Sequence, residues 1–368
     1  MGAKIKISDI SSDVNKISVF YDKNDVRKIK CFCGAYCDRS IIPHMKKIHS
    51  KKWKKWCFDF VRLRNKGWSN RRIMWKYRAI FSWTVIEREI KKMVGEGKAA
   101  LKVPQKEKIA KWAPPDFRFE RTTIWSFPKR GDWAVHESDY RGNWPPQIPR
   151  NLILRYSREG GTVLDPFVGG GTTLIEAYLL GRKSIGIDIN PRAITISDER
   201  IKELETKSKG TLDMHLNNDC RPIVKLGDAR NSLEILSTFG LSANSIDLIC
   251  THPPYLDSLR YTENIDEDLS RIQDLETFCD ELQKTARAIY AVLKKGGRCA
   301  VLIGDVRKKG KIIPLGLKLM ERFLREKFEL EEIIIKQQHK DESTEFYFNK
   351  NFVNYLIAHE YLFVFRKG

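Results

Sequence analysis

Residues 162–205 read TVLDPFVGGGTTLIEAYLLGRKSIGIDINPRAITISDERIKELE, and this stretch decides the fold. TVLDPF (162–167) is a short apolar strand. TTLIEAYLLG (172–181) has helical spacing and stops at Gly181. SIGIDIN (184–190) is a second strand, and PRAITISDERIKELE (191–205) opens with the proline that suits a helix's first turn. Toward the C-terminus the alternation continues, with strands over 224–228 and 245–251, a long helix over 274–293, a strand over 299–305 and a helix over 314–326. Two closing strands, 329–336 and 360–367, follow one another without a helix between them. The pattern predicts an α/β fold: a doubly wound, mostly parallel, Rossmann-like sheet with an antiparallel strand at its edge.

The chain around this core has 368 residues, 42% hydrophobic and 31% charged, which fits a globular protein of two or three domains and excludes a disordered or collagen-like one. No apolar run reaches the roughly 18–20 residues of a bilayer-spanning helix, and the charged start MGAKIKISDI is unlike a signal peptide. A cytoplasmic protein with no membrane partner is therefore expected. The charge is lopsided. Residues 1–110 hold 28 Lys and Arg against 10 Asp and Glu, whereas the other 258 residues hold 39 against 37. A basic head on a balanced body suggests an enzyme joined to a module for a polyanion, because each phosphate contact releases counterions. The Gly, Pro and Lys mixture over 95–118 reads as a linker, giving a basic nucleic-acid-binding module at 1–94, a linker at 95–120 and a catalytic domain at 121–368.

In a doubly wound sheet, ligands sit outside the carboxyl ends of the strands, at the point where strand order reverses. Four segments fall on such ends. Asp165-Pro166-Phe167-Val168-Gly169-Gly170-Gly171-Thr172-Thr173 joins the first strand to the first helix, and its glycines permit a tight turn and close approach to a ligand. Asp188 ends the next strand, 23 residues after Asp165, near the spacing at which an acidic side chain binds ribose hydroxyls. Asp228 ends the third and could contact an adenine edge. The glycines match neither the dinucleotide fingerprint nor the Walker loop, which makes NAD and ATP weaker candidates. Thr251-His252-Pro253-Pro254-Tyr255 ends the fourth strand. Its prolines offer rigid carbonyl acceptors and Tyr255 an aromatic plane, an arrangement suited to a planar ring bearing an amino group.

DPFVGGGTT, IGIDINP, LGDA and THPPY together resemble the motifs of S-adenosylmethionine-dependent cytosine-N4/adenine-N6 DNA methyltransferases, over roughly residues 121–368. The resemblance implies that Asp165, Phe167, Gly169 and Gly171 cradle the methionine part of the cofactor, with Thr172 also cofactor-binding, that Asp188 holds the ribose and Asp228 the adenine, and that His252, Pro253, Pro254 and Tyr255 hold the target base. YRGNWPPQIPRNLI (140–153) is similar to the segment that closes over the cofactor in that family. The family usually has Asp, Asn or Ser where this chain has His252. An imidazole can accept through one nitrogen only and loses that acceptor near pH 6.5. The Thr-x-Pro-Pro-Tyr context looks more like the cytosine-N4 branch, with DNA as the favoured substrate, structured RNA such as rRNA or tRNA as the alternative, and an inactive DNA-binding regulator as a third reading.

In the basic head, Cys33, Cys37, His44 and His49 supply the ligand set of a structural zinc site, with Cys31 as a substitute ligand, although the spacing is shorter than that of a two-Cys, two-His finger. Residues 53–94 read as a helix-turn-helix-like arrangement with a turn at 67–69 and a third helix from about Ser82. Arg71, Arg72, Lys76 and Arg78, interleaved with tryptophans, are the expected phosphate contacts. The N-terminal module is thus expected to be small, α-rich and zinc-bound. The sequence does not address the oligomeric state.

Overall fold

The structure is a computed structural model in which the described residues are 18–21, 27–30, 36–38, 42–48, 53–54, 56–58, 60–61, 83–95, 111–114, 117–208, 216–256, 259–262, 264–308, 310–339 and 355–368. The chain divides into two compact units, 1–107 and 108–368.

Among the described residues of the first unit, three short strands form an antiparallel sheet in the order β1 (Ser18–Tyr21), β2 (Arg27–Lys30), β3 (Tyr36–Asp38). This sheet was not anticipated in a module expected to be α-rich, because strands of three or four residues with mixed charge carry little periodic signal. Helical residues follow, among them α1 (Ile42–Ile48) and α2 (Trp83–Gly95), with 53–54, 56–58 and 60–61 also helical among the described residues. α2 starts where the expected third helix was placed. Met45, Trp53, Trp56, Phe60, Ile86 and Ile90 are buried, so Trp53 and Trp56 are core residues. Lys46 of α1 pairs at 2.9 Å with Glu89, a buried carboxylate on α2.

The second unit is a three-layer structure around an eight-stranded sheet in the order β4-β12-β13-β9-β8-β5-β6-β7. The strands are β4 (Ile124–Ser126), β5 (Thr162–Asp165), β6 (Lys183–Asp188), β7 (Ile223–Leu226), β8 (Ile246–Thr251), β9 (Leu293–Ile303), β12 (Phe328–Gln337) and β13 (His359–Lys367). A separate hairpin pairs β10 (Val306–Lys308) with β11 (Lys311–Ile313). From β7 to β9 the pairing is parallel. β13 then runs antiparallel to both β9 and β12, which gives the expected antiparallel margin, and the short β4 is added outside it.

Side-chain alternation of period two determines which face each residue covers. Cys299, Val301 and Ile303 of β9, with Phe363 and Phe365 of β13, pack against α7 (Leu275–Val292) and α8 (Leu315–Arg325). Ala300, Leu302, Leu362 and Val364 face the other way, toward α3 (Gln147–Tyr156) and α4 (Thr172–Leu179). α7 is a clear case of pattern dictating structure. Asp274 caps it by accepting from the Thr277 N–H at 2.9 Å, and Phe278, Leu282, Ala286 and Ile289 form one apolar stripe. The remaining helices are α5 (Pro191–Ser208) and α6 (Ser232–Ser237). No helix among the described residues is long and apolar enough to cross a membrane.

Strand order turns at β5. The chain steps outward through β6 and β7, then returns to the other side of β5 at β8. The carboxyl ends of β5 and β8 therefore flank a crevice, as such a reversal requires.

Candidate active site

The glycine turn after β5 is held rigidly by its neighbours. Gly169 and Gly171 have φ of +50° and +79°, a region costly for any residue with a Cβ. The Gly169 N–H donates to Asp188 Oδ2 at 2.9 Å, the Gly170 N–H to Asn143 Oδ1 at 3.1 Å and the Gly171 N–H to the Val168 carbonyl at 2.8 Å. Ser197 Oγ donates to the Gly169 carbonyl, and Arg200 donates to that of Gly170 and pairs with Asp139. A Cβ on Gly170 would lie 2.4 Å from Arg200 and 2.5 Å from Asn143. The turn's N–H groups are thus already spent, unlike those of a phosphate-cradling loop, which must be free for the anion.

Beyond this turn lies a cleft with about 740 Å³ of empty space, part of it open to solvent. Asp165 at the end of β5, Phe167 and Gly169 of the turn, Thr172 at the start of α4, Asp188 at the end of β6, Asp228 after β7, and His252 and Pro254 after β8 all line it. Three of the expected residues do not. Gly171 supplies the left-handed residue that starts α4, and Pro253 and Tyr255 are outside the lining. The expectation that the Tyr255 ring stacks on a base is not met by this geometry. That ring packs against the main core, edge-on to His252 at 5.3 Å, and its hydroxyl is committed to Glu360. Neither threonine caps α4. Thr173 Oγ1 instead donates to Asp165 at 2.5 Å, while Thr172 faces the cleft.

Electrostatics define what the cleft can hold. Asp165, Asp188, Asp228, Glu267 and Asp268 line it, with no lysine or arginine among the described lining residues. Burial raises the Asp165 carboxyl to about 7, against the lowering effect of hydrogen bonds from Thr173 and the Phe167 N–H. Burial likewise raises Asp188 to about 6, opposed by the N–H groups of Asn190 and Gly169. Desolvated carboxylates without cationic partners favour a cationic ligand and repel a phosphate. Asp228 is the exception, since both of its oxygens are engaged by Arg230, at 2.9 Å and 2.5 Å. Its carboxylate is therefore less available for an adenine edge than the sequence implied. Two polar atoms of residues that line the cleft, Thr172 Oγ1 and His252 Nδ1, are buried without a hydrogen-bond partner, a costly state.

His252 is sandwiched. Trp144 stacks on it with centroids 5.9 Å apart and planes inclined by 20°, and its Nε2 lies 2.7 Å from the Tyr255 hydroxyl. Burial lowers its pKa below the usual histidine value, so the acceptor persists to more acidic pH than the sequence reading allowed. Tyr140, Asn143, Trp144, Asn190 and Tyr261 also line the cleft, with Tyr140 and Tyr261 stacked at 6.1 Å. Sequence reasoning placed Tyr140, Asn143 and Trp144 only within the segment 140–153 that resembles a cofactor-closing one, and gave Asn190 and Tyr261 no role. Asn190 sits two residues after Asp188, Tyr261 six after Tyr255, and Tyr140, Asn143 and Trp144 cluster in 140–144, so proximity to recognised motifs was the available signal.

The expected zinc and phosphate contacts fall elsewhere. Cys33, His49, Arg71, Arg72, Lys76 and Arg78 lie outside the described residues. Cys37 is on β3 and His44 on α1, with only their backbone described. No group of three or more His, Cys, Asp or Glu suited to a metal occurs among the described residues.

A family model described as DNA methylase matches residues 12–199 and 246–368, and the chain belongs to that family of amino-methyltransferases. A second, described as an RMKL-like methyltransferase domain, matches 152–296. The type II methyltransferase M.ScaI of Streptomyces caespitosus is 35% identical over 112 residues, covering 29% of this chain and 36% of that protein. M.MjaI of Methanocaldococcus jannaschii is 44% identical over 73 residues, covering 19% and 24%. The match to M.MjaII of the same organism covers 17% of that relative, so the curated relatives are matched over about a sixth to a third of their length. Among solved structures, TrmN from Thermus thermophilus is 21% identical, covers 62% of this chain and 50% of that one, and has a TM-score of 0.39.

Proposed function

We propose that this chain is an S-adenosylmethionine-dependent methyltransferase that modifies the exocyclic amine of a base in nucleic acid, with cytosine N4 in DNA as the favoured target. The observation that carries this reading is one cleft joining two half-finished sites: an acidic, phosphate-averse pocket around Asp165, Asp188 and the unpartnered Thr172, and the unpartnered His252 nitrogen at the proline-rich tip. S-adenosylmethionine, when bound, supplies an electrophilic sulfonium methyl, and it also carries an ammonium group. Its positive charge suits the acidic pocket. Asp188 keeps lone pairs for ribose hydroxyls after accepting from Gly169 and Asn190, while Asp165, Phe167 and Gly169 border the position of the methionine part.

The chain's own residues then act by orientation. His252 and a carbonyl of the Pro253–Pro254 tip accept the two amine hydrogens of an extruded base, which turns the nitrogen lone pair toward the methyl donor. Extrusion costs a few kcal/mol, and stacking in an aromatic-lined cleft returns about 1–3 kcal/mol per base. Tyr140, Trp144, Phe167 and Tyr261 are the aromatic rings among the described lining residues. No proton need leave before the methyl arrives. The N–methyl bond would form as the sulfonium–methyl bond breaks, the sulfur leaving as the neutral thioether of S-adenosylhomocysteine, and the surplus amine proton would pass to His252 or to water. Positioning therefore does most of the work. Membership of the DNA methylase family and the type II methyltransferase relatives support DNA over RNA. Incubation with methyl-labelled S-adenosylmethionine and duplex DNA, rRNA or tRNA tests this. Label is expected in DNA and absent after His252→Ala; label confined to RNA would favour the structured-RNA reading, and cofactor binding without transfer to any of the three would count against an enzyme.

A further inference from the structure

We propose that Lys336, Glu360 and Tyr255 form a hydrogen-bond relay that fixes the tautomer of His252, leaving Nδ1 unprotonated in the cleft as the acceptor for the target amine. The last clause rests on the function proposed above; the relay itself rests on geometry alone.

Lys336 of β12 and Glu360 of β13 are cross-strand partners, and the Lys336 Nζ donates to Glu360 Oε2 at 2.7 Å. The other Glu360 oxygen, Oε1, accepts from the Tyr255 hydroxyl at 2.7 Å. Burial by itself would raise the Glu360 carboxyl, but the Lys336 charge, with the hydrogen bonds from Lys336 and Tyr255, holds it below the usual range. It is therefore a carboxylate, which can only accept. The phenol has a single proton and gives it to Glu360. The Tyr255 oxygen, 2.7 Å from His252 Nε2, must then accept from an Nε2–H. A neutral imidazole carries one proton, so Nδ1 is bare. That nitrogen is buried and unpartnered, on a residue that lines the cleft.

The opposite tautomer has one supporter, the Gly142 carbonyl, whose proximity favours a proton on the ring. No hydrogen bond of ordinary geometry joins it to Nδ1. With the proton on Nδ1, Nε2 would claim the Tyr255 proton, and the Tyr255 and Glu360 oxygens would face each other at 2.7 Å with no hydrogen between them. Only a protonated Glu360 could relieve this, and Lys336 opposes it. The relay also gives a reason for a nearly buried ion pair, with Lys336 and Glu360 side chains 12% and 8% exposed, since such pairs contribute little net stability. Lys336, Glu360 and Tyr255 are thus positioning residues. They let a histidine do what an Asp, Asn or Ser oxygen would do at that place.

Nitrogen NMR of the full chain labelled with ¹⁵N-histidine reads the tautomer directly, with the His252 signals assigned by their loss in His252→Asn. The wild type is expected to show an unprotonated Nδ1 and a protonated Nε2. In Tyr255→Phe the proton should move to Nδ1, toward Gly142. The turnover number for methyl transfer should then fall roughly 10- to 100-fold through misorientation, while S-adenosylmethionine affinity stays within about twofold. Glu360→Gln, which keeps shape but not charge, should give a mixture of tautomers and an intermediate loss. A protonated Nδ1 in the wild type, or an unchanged tautomer in both variants, would overturn the relay even if DNA is methylated. A bare Nδ1 in a chain that methylates no nucleic acid would instead overturn the proposed function and the amine as ligand.

Discussion

Asp165 and Asp188 hold the titrating chemistry of the cleft. Burial raises both, to about 7 and about 6, so in the free protein each is largely protonated at pH 5 and ionised at pH 8. A cationic cofactor binds the ionised forms and pulls these values down. Affinity for S-adenosylmethionine must therefore rise with pH through the window between about 5 and 8, by up to roughly tenfold per pH unit for each group that ionises on binding. Calorimetric titration across this range checks the slope, and Asp165→Asn should weaken binding and flatten it. A pH-independent affinity would contradict the charge assignment. The same residue scale marks the limit of what could be read in advance. Asp165, Asp188 and His252 stand at strand ends that the alternation locates, and their positions in the cleft follow from topology. Glu360 and Tyr255 could not be paired that way, because a contact between residues 105 apart depends on the register of β13 against its neighbours. Tyr255 read as a stacking platform because the sequence carries ring chemistry but no direction.

The glycine turn is the element on which the site depends, and its three successive glycines are required for different reasons. Gly169 and Gly171 take left-handed backbone conformations, whereas Gly170 has no space for a Cβ between Asn143 and Arg200. Gly170→Ala should push on the Asn143 and Arg200 contacts, lowering cofactor affinity at least tenfold and thermal stability by about 1–3 kcal/mol, as overpacking does elsewhere. Scanning calorimetry and ligand titration on the same preparation separate the two effects. Unchanged affinity would mean that the clamp from 140–144 and α5 is dispensable. At this scale the sequence was most informative. β5, α4, β6 and α5 were legible because apolar periodicity, a helix-starting proline and a stopping glycine agree over 162–205. β4 and the β10–β11 hairpin were not, being strands of three residues, too short to display a period in the sequence.

Over the whole molecule, the two units divide charge as well as mass. Every residue lining the cleft belongs to the second unit, between 140 and 269, while the first 110 residues hold nearly all of the net positive charge. Removing residues 1–107 should leave S-adenosylmethionine affinity within a few fold and strip away most of the salt-dependent affinity for DNA, since the salt slope scales with the number of phosphates neutralised. Filter binding at several salt concentrations measures this, and an unaltered slope would assign recognition to the second unit.

The central claim is that a cationic methyl donor and an exocyclic amine meet in the cleft between the β5 turn and the β8 tip. Digesting DNA to nucleosides after reaction with the full chain and S-adenosylmethionine, followed by mass spectrometry, tests it most directly. N4-methylcytosine is the predicted product, and N6-methyladenine would change the base but keep the chemistry. A methyl group on a ring carbon, as 5-methylcytosine, or unmodified DNA would contradict the account.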